Sequence, residues 1–286
     1  MHLAFKKRRR FWPFLLVLLI LAVLIGSAFW QRLTISRFTV SSAKLPEAFD
    51  GFRIVQITDL HCTWFGEQQE QLCRKIESLE PDLIVLTGDM NDQHRLDLEP
   101  TRAFCAAFSG RVPMYAVTGN HDLWVSSSEF QKLRALYEEY GVVLLRGDTV
   151  ALSQGDAVIY LHGEDDPAHW GNNTVGYLSE HPLSVTPEPG AFNILLYHRA
   201  NAFPVTSTLG FDLVISGHMH GGQVRLPFVG GLVSPTQEFL PDYTAGMYQE
   251  NSTTMIVGRG LGNAVSIPRI WNPPEIVCIT LKRSAE

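Results

Sequence analysis

The sequence predicts an α/β fold: a two-sheet β-sandwich flanked by helices in four layers, with an N-terminal transmembrane helix ahead of it. Three observations predict it. An uncharged apolar run occupies Phe11 to Trp30, short apolar strands alternate with amphipathic helices from Phe52 to Gly141, and closely spaced strands dominate the chain after Val142. Strand–helix alternation implies parallel pairing with helices on the sheet faces, and a run of short strands implies a second sheet packed on the first. The 286 residues, 45% of them hydrophobic, suffice for one sizeable core. The expected organisation is a basic N-terminus and anchor (or signal) at 1–30, a juxtamembrane connector at 31–50 and one folded domain at 51–286.

The run from Phe11 to Trp30 is long enough, at helical rise, to cross a bilayer core, with Trp12 and Trp30 near its two ends as interface residues. A cleaved secretory signal is the competing reading, because Gly26-Ser27-Ala28 supplies small residues and Arg8-Arg9-Arg10-Phe11 loosely resembles a twin-arginine signal. The length of the run favours a retained anchor. Lys6, Lys7, Arg8, Arg9 and Arg10 on one side outweigh Arg32, Arg37 and Lys44 on the other. The positive-inside rule then puts the N-terminus in the cytoplasm and the folded body outside it, as a single-pass protein of the cell membrane. The connector ends in Leu45-Pro46-Glu47-Ala48-Phe49-Asp50-Gly51, which is turn chemistry.

From Phe52 the elements follow in order. Arg53 to Thr58, Leu83 to Thr87 and Met114 to Thr118 read as strands; Glu67 to Leu79, Ala103 to Phe108 and Glu129 to Tyr140 read as helices, the last closed by Gly141. Val142 to Leu145, Thr149 to Ser153, Ala157 to His162, Asn193 to Tyr197, Phe211 to Ser216, Gln223 to Leu226, Thr254 to Val257 and Glu275 to Leu281 are the strands of the β-rich half. The net charge of −6 understates the acidity of this body, since five basic residues precede the first acidic one, Glu47. An acidic body argues against nucleic acid as a partner. Cys62, Cys73, Cys105 and Cys278 have neither CxxC spacing nor the density of a stapled domain, and are expected as buried free thiols.

Chemistry concentrates where the strands end, the place at which open α/β sheets hold their ligands. Asp59 and His61 follow the first strand, spaced so that both face one way if the chain stays extended. Gly88-Asp89 follows the second and Gly119-Asn120-His121-Asp122 the third; His198 and the pair His218 and His220 close two strands of the later half. An aspartate after a strand is commonly a cap, and a single histidine on an apolar strand is commonly a satisfied core residue. Five of ten histidines arriving at strand ends independently is a poor explanation, whereas His2, His94, His162, His169 and His181 lack the pattern and fit surface or packing roles. The adjoining Gly217, Gly221 and Gly222 would permit the turn that aims His218 and His220 at one volume. A mixture of carboxylate, imidazole and amide suits two borderline divalent ions such as Mn, Fe, Zn or Co. Asp89, on a central strand, is the natural bridge between them.

The ordered series Asp59-x-His61, Gly88-Asp89, Gly119-Asn120-His121-Asp122, His198 and Gly217-His218-x-His220 resembles the calcineurin-like metallophosphoesterases over roughly residues 52 to 221. Phe239-Leu240-Pro241, Gly258-Arg259-Gly260-Leu261-Gly262 and Pro273-Pro274-Glu275 resemble the membrane-associated bacterial branch of YaeI/YkuE-like phosphodiesterases. The resemblance implies a two-sheet sandwich with a two-metal site at one edge. It implies that Asp59, His61 and His220 hold one ion, that Asn120, His198 and His218 hold the other, and that Asp89 bridges them. It implies that His121 faces the scissile phosphate, stabilising charge or protonating the leaving oxygen, and that metal-activated water attacks in line, as two-metal chemistry does. Asp122 either orients His121 or caps the turn, and Arg199 either contacts substrate phosphate or forms a surface salt bridge. Where many relatives have proline two residues after the equivalent of His198, this chain has Ala200. Gly258 to Gly262 lacks the strand and helix context of a nucleotide loop and reads as a tight loop near the site.

The expected function is therefore hydrolysis of a phosphodiester or pyrophosphate bond by a membrane-tethered dinuclear-metal enzyme. The anchor raises local concentration at a bilayer, which points to a lipid or nucleotide-lipid head group such as UDP-diacylglucosamine. Metal-dependent amide hydrolysis is disfavoured by Asn120 beside His121 and by the lack of an early His-x-His. A non-catalytic metal-binding membrane adaptor is disfavoured by the complete ligand set. Nothing in the sequence specifies an oligomeric state.

Overall fold

A computed structural model describes residues 11–171, 173–235 and 238–285. The basic cluster Lys6 to Arg10, on which the predicted orientation rests, lies outside the described residues. Helix α1 (Phe11–Ala28) has 18 residues with a mean hydropathy of 2.5 and buries only Ala28 against the body. It is long and apolar enough to cross a membrane, and a helix apolar on every face and exposed on nearly all of them finds a favourable environment only in an apolar medium.

Strands β1 (Thr34–Ser42), β2 (Arg53–Ile57), β3 (Leu83–Thr87), β4 (Met114–Val117), β5 (Val142–Leu144) and β14 (Glu275–Arg283) form one sheet in the order β1-β14-β2-β3-β4-β5. Strands β6 (Asp148–Gln154), β7 (Ala157–Gly163), β8 (Asn193–Arg199), β9 (Leu213–Gly217), β12 (Gly246–Glu250) and β13 (Thr253–Val257) form the second, in the order β12-β13-β9-β8-β7-β6. Between β9 and β12, β10 (Arg225–Leu226) and β11 (Gly230–Gly231) make a separate antiparallel ribbon. Neighbours from β2 to β5 are all parallel, as their helical connections require.

Side-chain alternation builds the layers. Ile54, Val85 and Ile279 of the first sheet meet Leu196, Ile215 and Ile256 of the second between the sheets. Val55, Ile57, Ile84 and Leu86 point the other way, onto Leu72 and Ile76 of α2 (Glu70–Glu77), Phe104 of α3 (Glu99–Phe108) and Leu133 of α5 (Ser127–Glu139), which follows the short α4 (Asn120–Leu123). On the far side Leu195, Tyr197, Val214 and Met255 pack on Leu178 of α6 (Thr174–Glu180) and Phe203 of α7 (Phe203–Thr206). Each fully buried aliphatic side chain stabilises by roughly 1.5–3 kcal/mol. Strands covered on both faces are therefore apolar at successive positions, which is why they read as runs rather than alternations.

The structure departs from expectation in five places. The stretch 31–50, expected as a connector, contains β1, which pairs in parallel with β14 over nine residues. Its Ser- and Thr-rich sequence buries only Val40, so it gives little local strand signal. The last strand does not belong with the β-rich half: β14 crosses back into the first sheet, antiparallel to β2. Gln223 to Leu226 supplies only the two-residue β10. Strand β12 and helix α6 were not expected; β12 is an edge strand without a buried residue, and α6 buries only Thr174 and Leu178. All four cysteines are free and buried.

Candidate metal centre

Every predicted site residue lies beyond or at the end of a strand, and all are buried, His121 being the most exposed at 9%. Asp59 and His61 follow β2, Asp89 follows β3, Asn120, His121 and Asp122 form most of α4 after β4, His198 lies near the end of β8, and His218 and His220 follow β9. Because β3 packs against both β8 and β9, the ends of the two sheets meet at one edge.

The backbone there is not extended. Asp59 (φ 51°), His61 (φ 44°), Asp89 (φ 55°), His218 (φ 70°) and His220 (φ 46°) all adopt the left-handed conformation, which corrects the expectation that Asp59 and His61 share a face of an extended chain. The conformation costs of order 1–3 kcal/mol per non-glycine residue and persists only where the surroundings over-determine it. Here loop pairing holds it: Asp59 N–H donates to Gly88 O (3.0 Å) and His61 N–H to Asp89 O (3.1 Å). The turn at His218 and His220 is made by the histidines themselves with Gly221 and Gly222 (φ 66° and 69°). Gly217 serves a different purpose, since a Cβ there would collide with the Thr58 hydroxyl.

The donor atoms form a continuous arc. Asp59 Oδ1 lies 3.4 Å from His220 Nε2, which lies 3.1 Å from His61 Nε2. Asp89 Oδ2 lies 3.6 Å from His61 Nε2 and 3.3 Å from His198 Nε2, and His198 Nε2 lies 3.3 Å from His218 Nδ1. Asp59, His61 and His220 thus compose one group within 4.8 Å, Asp89, His198 and His218 a second, and Asp89 also falls within reach of His61 and His121. Two nitrogens on one ion at about 2.0–2.1 Å stand roughly 3.0–3.4 Å apart at tetrahedral or octahedral angles, so the imidazole spacings fit shared ions. The buried amide oxygen of Asn120 has no hydrogen-bond partner in the protein, as a further ligand would not. His198 donates from Nδ1 to the carbonyl of Thr87 (2.7 Å), which fixes its ring with Nε2 toward the arc.

Burial is the leading influence on these groups. It raises Asp59 to about 6 and Asp122 to about 7, lowers His61 to about 3, and pushes His218 and His220 well below the usual histidine range. At Asp89 and His198 burial is overcome. His198 and His61 hold the Asp89 carboxyl well down, and Asp89 with Asp59 raises His198 to about 10. Neutral imidazoles with free lone pairs around a fixed carboxylate are suited to a cation.

Asp122 is committed to the backbone. Its Oδ2 accepts from the N–H of Asp89 (2.8 Å) and of Gly119 (2.9 Å), and its Oδ1 from Asn91 N–H (2.9 Å), so of the two expected roles these contacts supply the capping one. The carboxylate facing Nδ1 of His121 is instead that of Asp92 (3.9 Å), which is held by Arg95 (2.7 Å) and which sequence reasoning missed. The His121 ring also packs edge-on against His61 and beside Trp124. Arg199 is not at the surface: it is 1% exposed and forks onto both oxygens of Asp166 (2.7 and 3.0 Å). Arg269, also missed, donates from Nη2 to Nδ1 of His220 (3.1 Å) and from Nε to the carbonyl of Gly262 (3.0 Å). The loop 258–262 does lie against the site, with Gly262 N–H on Asp59 O (2.6 Å). A buried arginine on a histidine tip has no local sequence signature. Cys62, beside His61, has its thiol on Asn91 (3.6 Å), and His162 bonds Thr149 and Asn193 in the core.

A mixed α/β sandwich holding paired carboxylate–imidazole groups at one sheet edge defines a metal-dependent phosphoester hydrolase. The match to the calcineurin-like phosphoesterase family extends over residues 52–222, and the chain belongs to that family. It is 34% identical over 257 residues to YkuE, an uncharacterized metallophosphoesterase of Bacillus subtilis, covering 85% of this chain and 84% of that protein. It is 26% identical over 240 residues to the phosphodiesterase YaeI of Escherichia coli, covering 80% and 82% of the two chains. It is also 26% identical over 288 residues to the UDP-2,3-diacylglucosamine pyrophosphatase LpxG of Chlamydia trachomatis, covering 84% and 87%.

Proposed function

We propose that the chain is a membrane-anchored hydrolase of a phosphodiester or pyrophosphate bond in a lipid or nucleotide-lipid head group, such as UDP-diacylglucosamine, working with two divalent ions drawn from Mn, Fe and Zn. The observation that carries this reading is the single oxygen, Asp89 Oδ2, within 3.6 Å of His61 and 3.3 Å of His198. In this reading Asp59, His61 and His220 would hold one ion, Asn120, His198 and His218 would hold the other, and Asp89 would serve both. Two such ions, once held there, would supply an acidified water and positive charge for the phosphate oxygens. His121, at the rim, donates to the phosphate or the leaving oxygen. Burial outweighs the Asp89 and Asp92 carboxylates and holds its pKa below the ordinary histidine value, while those two carboxylates favour the protonated ring. Asp122 positions the backbone of Asp89, Asn91 and Gly119 rather than touching substrate. The similarity to LpxG supports the lipid-linked substrate, and helix α1 supports the anchor; an N-terminus inside and a body outside the cytoplasm complete the proposal.

The test is turnover by the full chain loaded with Mn, Fe or Zn, on UDP-diacylglucosamine in vesicles and on a soluble phosphodiester. Faster hydrolysis of the lipid is expected. Equal or better turnover of the soluble ester rejects the lipid preference, and full metal content without any turnover rejects the enzyme in favour of an adaptor. Protease accessibility of residues 31–286 in sealed vesicles decides the side of the membrane.

A further inference from the structure

The end of α1 is joined to the metal centre by a short hydrogen-bonded path. The Ala28 carbonyl accepts from the backbone N–H of Trp271 (2.7 Å), and the Ser27 hydroxyl accepts from its indole Nε1 (3.1 Å). Ile270, one residue earlier, accepts from Arg225 N–H (2.9 Å) and donates to the carbonyl of Gln223 (3.1 Å). Asn272, one residue later, donates from Nδ2 to the carbonyl of His220 (2.6 Å). Backbone bonds at Trp271 and Ile270, with the side-chain amide of Asn272 on the His220 carbonyl, therefore connect the helix terminus with a residue of the donor arc.

The chain that leaves His220 is unusually apolar on its outside. The ribbon β10-β11 carries Phe228 and Val229 at its tip, the first fully exposed and the second 58% exposed. The chain then folds back, Leu240 N–H donating to Leu232 O (2.8 Å), and presents Phe239 and Leu240 at 72% and 51% exposure. Phe228, Val229 and Trp271 line one shallow groove, so the apolar tip adjoins the residue that holds the end of α1. Trp30, two residues past the helix, is 65% exposed on the same connection. A second groove, past this helix end, is lined by Arg32 and Lys75, cations suited to lipid phosphate, and by Arg74, which is paired with Glu70 (3.1 Å). Burial of each apolar side chain is favourable by roughly 1.5–3 kcal/mol, and exposed apolar side chains beside a membrane helix match an interfacial surface.

We propose that the β10-β11 tip and the Phe239-Leu240 turn insert into the leaflet from which α1 emerges, seating the ligand-bearing edge of the sheets against the bilayer. The occupant is lipid, because the patch is continuous with the end of the helix that enters it. This rests on the reading of α1 as a membrane anchor. It deepens that reading, since a head group reaches the donor arc without leaving the membrane.

The experiment uses the full chain in phosphatidylcholine–phosphatidylglycerol vesicles, with a fluorophore placed singly through Phe228→Cys, Phe239→Cys, Leu18→Cys or Gln131→Cys; the four native cysteines are buried. Brominated acyl chains are expected to quench the probes at 228 and 239, which sit ~5–10 Å into the interface, and the probe at 18, while the probe at 131 on α5 keeps its emission. Quenching at 18 without quenching at 228 and 239 overturns the docking surface and leaves the anchor standing. Absence of quenching at 18 overturns the anchor and the docking together. Probes at 228 and 239 shielded from aqueous iodide yet untouched by bromolipid show a protein contact instead, and overturn the proposal. None of these readings depends on turnover, so loss of the phosphoesterase assignment is detected separately.

Discussion

Oδ2 of Asp89 stands 3.3 Å from Nε2 of His198, the ring nitrogen left facing the arc once Nδ1 is bound to Thr87. The same oxygen is 3.6 Å from Nε2 of His61 in the other donor group. One side chain thus links strands of the two sheets at the point where their loops meet. Replacing Asp89 with alanine is expected to reduce bound metal in both groups, read by elemental analysis of purified protein. The accompanying loss of kcat/KM exceeds the ~10–100-fold typical of groups that only support a ligand.

His121 gives the opposite signature. It lies at the rim beside His61, with Asp92 at 3.9 Å from its Nδ1. The substitution His121→Ala is expected to leave metal stoichiometry unchanged and to lower kcat by ~10²–10⁴-fold, the usual contribution of a positioned acid. Asp92→Asn reproduces a part of that loss in kcat and, because Asp92 also holds the backbone of His94, lowers thermal stability slightly.

Metal binding is expected to release a proton from His198. In the metal-free protein burial opposes its charge, but Asp89 and Asp59 outweigh burial and raise it to about 10. A metal ion competes with that proton for Nε2, so affinity rises with pH and continues to rise toward about 10. Calorimetric titration in buffers of different ionisation enthalpy at neutral pH measures the release directly; zero protons released contradicts the assignment of His198 as a ligand.

Gly119 matters for space. A Cβ at this position would strike the carboxylate of Asp89, so Gly119→Ala displaces the side chain that faces both His61 and His198. The expected outcome is lowered metal content with the global fold retained, seen as a loss of bound ions at nearly unchanged circular dichroism.

The Arg199–Asp166 pair contributes through structure. Both side chains are essentially buried, and the arginine fork satisfies both oxygens of its partner. Removing one member strands a buried charge, so Asp166→Ala is expected to cost about 3–5 kcal/mol in denaturant unfolding. The double variant with Arg199→Leu recovers a large part of the loss, because no charge is then left unpaired.

The donors were legible in the sequence because each comes from a local signal: an apolar run long enough to be a buried strand, followed at once by Asp, His or Asn. The ribbon of β1 and the edge strand β12 were not legible, because strands that bury one residue or none carry almost no hydrophobic pattern. Asp92 and Arg269 escaped for a related reason. Each is an ordinary charged loop residue until the fold places it 3.9 Å from His121 or 3.1 Å from His220.

By itself the sequence determined the kinds of side chain at the site, the strands that deliver them and an apolar helix able to enter a membrane. These follow from composition and spacing over a few residues, where burial and backbone preference act directly. Tertiary structure brings His220 to Asp59 and His61, and His218 to Asp89 and His198, a division that the family resemblance implied but that no local residue pattern contains. It also decided that β14 returns to the first sheet and that the end of α1 is fastened through Trp271 to the segment whose Asn272 holds the His220 carbonyl. Residues 59 and 220 meet because two sheets pack face to face, and that packing is a sum over the whole core which no short window of sequence contains.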